Sequence, residues 1–166
     1  NPTYGSIQKL YARGGDLVAF CEDRVIKILA NKDALFNADG NSNLVSTNRV
    51  LGEAVPFSGE YGISKNPESF AAENYRAYFT DKQRGAVLRL SMDGLTPISA
   101  YGMDDYFKDH LKLSNKLIGS YDDKKDNYNI TILDIEKTIS YEEKVRGWSS
   151  FKSFVSESYG LSMAND

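Results

Sequence analysis

One local pattern recurs along the chain: an apolar, ring-rich strand, a polar turn holding Asp or Glu, and a second alternating strand. The first copy runs from Asp16 to Cys21, turns at Glu22 and Asp23, and returns from Arg24 to Leu29. The second runs from Tyr75 to Thr80, turns from Asp81 to Gly85, and returns from Ala86 to Ser91. It continues through a turn at Met92, Asp93 and Gly94 into a third strand from Leu95 to Ser99. A third copy joins Leu117–Tyr121 to Asn127–Leu133 across Asp122–Asp126, and a fourth joins Thr138–Glu142 to Trp148–Phe154 across Glu143–Gly147. Each pair predicts a β-hairpin, because strand-length alternating runs closed by turns of about 2–5 residues have that geometry. Within the returns, Ile26 and Ile28 fall opposite Val25, Lys27 and Leu29, and Leu88 and Leu90 fall opposite Val87 and Arg89. One wholly apolar face and one mixed face suit strands lying between stacked sheets.

This pattern predicts a mainly β protein of repeated antiparallel hairpins and meanders. Strand repeats of this kind build radial or sandwich architectures, and a four-stranded propeller blade takes about 40–50 residues. The 166 residues would therefore hold about three or four propeller-like blades. The eleven Tyr and eight Phe, set against one Trp, fit strands, since flat rings pack well on a pleated surface. A propeller ordinarily needs more chain, and the sequence opens Asn1-Pro2-Thr3 without an initiator Met. We therefore expect residues 1–166 to be a single β-rich region, a fragment of a longer protein and part of a larger β-propeller. A long insert, residues 33–74, separates the first two copies. Two short helices are expected. One begins at Asn66-Pro67-Glu68, where Asn suits the cap and Pro the first helical position. The other spans Met103 to Leu111, where Met103, Phe107 and Leu111 align on one face and Asp104 and Asp105 complement the N-terminus.

Several function classes lose support. One cysteine, Cys21, allows no internal disulfide framework and no Cys-based zinc site, and its apolar strand reads as a buried structural thiol. With 20 basic and 23 acidic residues interspersed, the chain offers no basic footprint for nucleic acid. No apolar run approaches the roughly 18–20 residues of a membrane span, so no membrane partner is expected.

The residues also give no catalytic, cofactor or metal set. The single histidine, His110, neighbours Asp109, but adjacent helical residues point about 100° apart, so it reads as a solvent-facing residue at a helix end. Asn37, Asp39, Asn41 and Asn43 alternate around Gly40 like a calcium loop. Only one of them is a carboxylate, and Asn48 stands where such a loop needs a bidentate Glu, so they read as an Asx-rich turn. Asp122, Asp123 and Asp126, and Glu142 and Glu143, cluster at hairpin turns where solvated acids are ordinary. Ser91 to Pro97 is a near miss to a sialidase-type box, with Gly94 directly after Asp93 and no aromatic residue. The sequon at Asn129, Ile130 and Thr131 lies within a predicted strand.

The segments Gly59–Phe70 and Tyr78–Ser99, then Gly119–Asp122, Ser140–Lys144 and Gly147–Phe154, resemble segments of large virion structural proteins of tailed bacteriophages, including marine and crAss-like phages. The likeness follows nearly the whole chain in order. It implies a non-enzymatic component of the neck or tail, located in the virion, with no catalytic residues to carry over. It also implies portal, neck or tail proteins as partners and a homo-oligomeric ring. Many Tyr at hairpins suit such docking, because Tyr offers large contact area at low entropic cost. The alternative is a carbohydrate-binding or glycan-cleaving host-attachment domain. Trp148, Tyr121 and Tyr128 would then stack on sugar from an open face, with Asp122 or Glu142 as the acid. Against that role, a tryptophan at the start of a strand ordinarily packs between sheets.

Overall fold

The computed structural model describes residues 1–30 and 51–153. The acid-and-amide stretch from Asn37 to Asn43, and Phe154 at the end of the fourth return, lie outside them. Twelve strands form three four-stranded antiparallel sheets, each a meander in chain order. Sheet A contains β1 (Ile7–Arg13), β2 (Asp16–Cys21), β3 (Val25–Ala30) and β4 (Leu51–Pro56). Sheet B contains β5 (Ala71–Ala72), β6 (Ala77–Asp81), β7 (Ala86–Ser91) and β8 (Gly94–Pro97). Sheet C contains β9 (Leu117–Asp122), β10 (Asn127–Ile132), β11 (Lys137–Glu142) and β12 (Gly147–Lys152).

All four predicted hairpins are present, and the third and fourth merge into one sheet through the pairing of β10 with β11. β1 adds a further hairpin with β2. Its turn is Gly14-Gly15, with φ of 58° and 92°, a conformation that costs glycine nothing. The predicted insert contributes β4 and β5 to the sheets. The expected helix at Asn66 is a single 3₁₀ turn, Pro67–Ser69, with Pro first as predicted but no side-chain cap from Asn66. Its brevity follows from Phe70, which returns to extended backbone. The second expected helix is α1 (Asp104–Leu111), which buries Phe107 and Leu111 and carries both acids in its first turn. Ile98 and Ser99, predicted as the end of a strand, instead open another 3₁₀ turn, Ile98–Ala100. Among the described residues the sheets do not close into a barrel or propeller.

The sheets pack face to face. Sheet B is covered on both faces, so every residue of β6 is buried. Its odd side, Ala77 and Phe79, joins Leu88 and Leu90 of β7 against Val18, Phe20 and Val25 of sheet A. Its even side, Tyr78, joins Val87 against Tyr128, Ile130, Ile139 and Tyr141 of sheet C. The period-two alternation of a strand places two cores on one short segment. Phe20 meets Phe79 and Phe70 edge-on at 5.1 and 5.2 Å, arrangements that aromatic quadrupoles favour.

Close backbone approach fixes the joint between sheets B and C. A Cβ added at Gly119 of β9 would lie 2.0 Å from the Ser69 carbonyl oxygen of the 3₁₀ turn. That same oxygen accepts a 2.6 Å hydrogen bond from the Tyr128 hydroxyl. Gly119→Ala is expected to destabilise the chain by about 1–3 kcal/mol, the usual range for forcing an extra methyl into a packed site. A lowered urea midpoint with an unchanged slope would register it, and an unchanged midpoint would contradict the packing.

Candidate functional site: the inter-sheet joints and the two outer faces

The same bond recurs in every meander. The turn between the second and third strands carries an acid that accepts a backbone N–H from the segment entering that meander. In sheet A the Ser6 N–H and hydroxyl donate to Glu22 at 3.2 and 2.5 Å, and both bonds hold that carboxyl below its usual range. In sheet B the Gly62 N–H donates to Asp81 at 3.1 Å, and in sheet C the Asn115 N–H donates to Asp134 at 2.9 Å. A charged acceptor makes each a strong bond, tying the loop to the sheet it introduces.

Asp81 does more than its two counterparts. It is fully buried and also accepts from the Ser64 hydroxyl at 3.2 Å, the Arg84 N–H at 3.1 Å and the Arg84 guanidinium at 2.9 Å. Arg84 then reaches Asp23 of sheet A at 2.6 Å. Gly62 sits against this turn so closely that a Cβ there would lie 2.3 Å from the Glu22 carbonyl oxygen.

The joint between sheets B and C has its own buried acid. Glu143 accepts from the Tyr78 hydroxyl at 2.6 Å, inside the protein, and from the largely buried Arg89 at 2.9 and 3.1 Å. Glu143 therefore departs from the solvated turn acid expected of it, because the hairpin folds its turn over Tyr78 and Arg89 of the neighbouring sheet. Glu142 and Asp122 stay at the rim, and Asp122 caps its own turn by accepting from the Lys124 and Lys125 N–H groups.

The three ring residues singled out for sugar stacking all lie at this joint. Tyr128 is fully buried and stacks on Tyr78 at 5.0 Å. Tyr121 is half-buried, stacks on Tyr78 at 5.6 Å, and donates its hydroxyl to Asp126. Trp148 is half-buried, packs on Phe107 and Tyr141, and donates to the Ile98 carbonyl at 3.0 Å. The structure thus brings the three together as inter-sheet packing, with their polar atoms bonded within the chain. Cys21 is buried on sheet A, where burial pushes its thiol pKa up. His110 packs its ring 4.2 Å from that of Tyr106 and is half-buried, so it is less solvent-facing than expected. Asn129 of the sequon accepts from Ser140 at 2.5 Å within sheet C. Among the described residues, no group of three or more His, Cys, Asp or Glu side chains could hold a metal ion.

Beyond the joints lie the outer faces of sheets A and C, and they differ in chemistry. Register places Ala12, Leu17, Ile28 and Ala54 in one row across the outer face of sheet A, and Leu10, Ala19, Ile26 and Pro56 in the next. Neither row contains a polar side chain. The inner face of the same sheet carries its charges at the margins, including Lys27 paired with Asp16 at 3.0 Å. Sheet C differs: on the face turned away from sheet B, Ile118, Thr131 and Thr138 share one row, the two threonines bonded at 2.8 Å, and Asn129 lies beside Ser140, with Ile118, Thr131, Thr138 and Ser140 all buried.

The family model described as Crassvirus muzzle protein matches residues 2–165. The chain belongs to the Crassvirus muzzle protein family. No curated protein matches it. Membership makes this muzzle-family chain a virion component, a structural protein of a crAss-like phage. The virion location and phage origin implied by the resemblance agree with that membership.

The joint makes different demands on three buried tyrosines. Tyr78 and Tyr128 donate to partners, whereas the Tyr141 hydroxyl has no hydrogen-bond partner among the described residues. Tyr78→Phe and Tyr128→Phe are expected to cost about 1–2 kcal/mol each, since each strands a buried acceptor. Tyr141→Phe should be neutral or slightly stabilising, and urea midpoints for the three variants would test the ranking. Glu143→Ala should cost more, about 3–5 kcal/mol, because it leaves the Arg89 charge buried without its partner.

Alkali should probe the same joint. Burial, then the bond to Glu143, pushes Tyr78 well above its ordinary value of 10.0, and burial, then Asp126, does so for Tyr121. Burial, then the Glu143 charge, pushes Tyr141 up to about 12. A raised phenol pKa gives stability that is complete below the unfolded value and is lost as pH climbs through the folded one. Stability from these groups is therefore expected to hold to about pH 10 and fall toward pH 12 and beyond. Absorbance at the phenolate band should show these three tyrosines ionising together with unfolding. Ionisation at pH 10 in the folded chain would contradict the burial.

Proposed function

We propose that the three meanders are consecutive blades of a β-propeller-like region, part of a longer, non-enzymatic muzzle-family polypeptide that serves in the neck or tail of the particle. In this reading it assembles by protein–protein contacts with portal, neck or tail components and with copies of itself in a ring. The observation that carries the blade reading is the recurring bond from an entering-segment N–H to the acid of the second turn: Ser6 to Glu22, Gly62 to Asp81 and Asn115 to Asp134. Equivalent bonds at equivalent stations mark each sheet as one copy of a repeated unit, and repeated four-stranded units stacked by their faces are how propellers are built.

A structural role is supported by where the charged groups are spent. Asp81 and Glu143, the buried acids, each engage an Arg and a hydroxyl of the same chain. Such pairs hold two sheets in one relative position, which suits a part that must keep its shape under load.

Immunogold labelling of intact particles with antibodies against residues 51–153 is expected to mark the portal-to-tail region. Label spread over the capsid shell would refute the neck or tail assignment. Symmetry-resolved electron microscopy of the same particles should place several copies of the chain around the tail axis, and a single off-axis copy would refute the ring.

A further inference from the structure

The outer face of sheet A is finished as an interior surface. Its two cross-strand rows contain only Ala, Leu, Ile and Pro. Leu10 stands 53% exposed and Ile7, at the end of β1 nearest Cys21, 57% exposed. A contiguous apolar patch of a few hundred Å² on a protein surface marks a place that something covers. The face is also uncharged across both of its complete rows, whereas the covered face of the same sheet tolerates Lys27 and Asp16 at its margin. A sheet facing water alternates polar residues outward, and neither complete row of this face of sheet A does so. This end of the stack is therefore built for contact.

We propose that the outer face of sheet A seats a further four-stranded antiparallel sheet with an aliphatic inner face, supplied by the same virion polypeptide. The inference rests on the blade reading above and names the surface at which the next blade docks. Two observations choose this occupant. First, the series continues: sheet A already packs on sheet B, and sheet B on sheet C, each time apolar face to apolar face. The exposed rows repeat that chemistry one layer further out. Second, the area is too small for free association. Four strands about 4.8 Å apart and six residues long at about 3.3 Å per residue cover about 300–400 Å². A stable complex between separate chains buries about 800 Å² on each partner. A second copy meeting this face alone would fall short, whereas a sheet tethered in the same polypeptide pays little of the association entropy and needs no more area.

The test uses the full-length virion protein with a photo-crosslinking residue in place of Leu10 and, separately, of Ala12. Ala12 is exposed, so enlarging it leaves the fold of sheet A intact even where a Leu10 variant does not accumulate. Ultraviolet exposure is expected to join both positions to aliphatic strand residues of the same polypeptide outside residues 1–166, with no change in apparent mass on a denaturing gel. Cross-links to sheet A of a second copy or to another virion protein would overturn the proposal, as would quenching by solvent at both positions. Immunogold labelling reads the neck or tail location separately. Correct labelling with solvent quenching would therefore remove only the docked sheet, and mislabelling with an internal cross-link only the location.

Discussion

The burial of sheet B on both faces is the constraint from which the rest follows. β6 alternates Phe79 toward one core and Tyr78 toward the other, so a segment of five residues, Ala77–Asp81, serves two interfaces at once. Sheets A and C then have little choice of position. Each must lay its ring side chains over the residues that β6 and β7 offer, and the edge-on contacts of Phe20 and the stacked contacts of Tyr128 set how they lie. A strand buried on both sides must also be apolar on both sides, which is why Arg89 survives in β7 only by pairing with Glu143.

The buried acids are better understood as locators than as sources of stability. Moving a carboxylate and a guanidinium out of water costs several kcal/mol per ion, and their attraction roughly returns that cost when geometry is good. An alternative arrangement of sheet C on sheet B would strand Glu143 and Arg89 without returning anything. Asp81 does the same between sheets A and B by holding Gly62, Ser64 and Arg84, which in turn holds Asp23. The sheets are thus fixed in relative position as well as attracted.

For a structural component of a crAss-like phage virion, rigid joints and a chemically polarised pair of outer faces are useful together. The polar ladder on sheet C pairs its hydroxyls and amides within the sheet. The aliphatic rows on sheet A have no such internal satisfaction to seek, since their only favourable change is removal from water.

Much of the local structure was legible in the residues. Period-two alternation and acid-bearing turns located nine strands within a residue or two, and Asp104 with Phe107 and Leu111 located the helix. β1 was missed, although the Gly14-Gly15 turn that follows it carried the signal for a hairpin. β4 was harder, because Gly52, Glu53 and Pro56 carry no strand preference and only pairing with β3 makes them one. The joints were not legible. A carboxylate at a hairpin turn looks the same in sequence whether water or an arginine solvates it, so Glu143 read as solvated, Asp81 as an ordinary turn residue and Arg89 as one member of a mixed face. Tyr121, Tyr128 and Trp148 could equally have faced sugar or sheet B, because alternation says which residues share a face and never what that face meets. The chain's own pattern determined its hairpins, since strand and turn preferences act over a few residues. Only tertiary packing decided which faces became joints and which, among the described residues, kept an apolar surface beyond them, since that depends on contacts between residues dozens of positions apart.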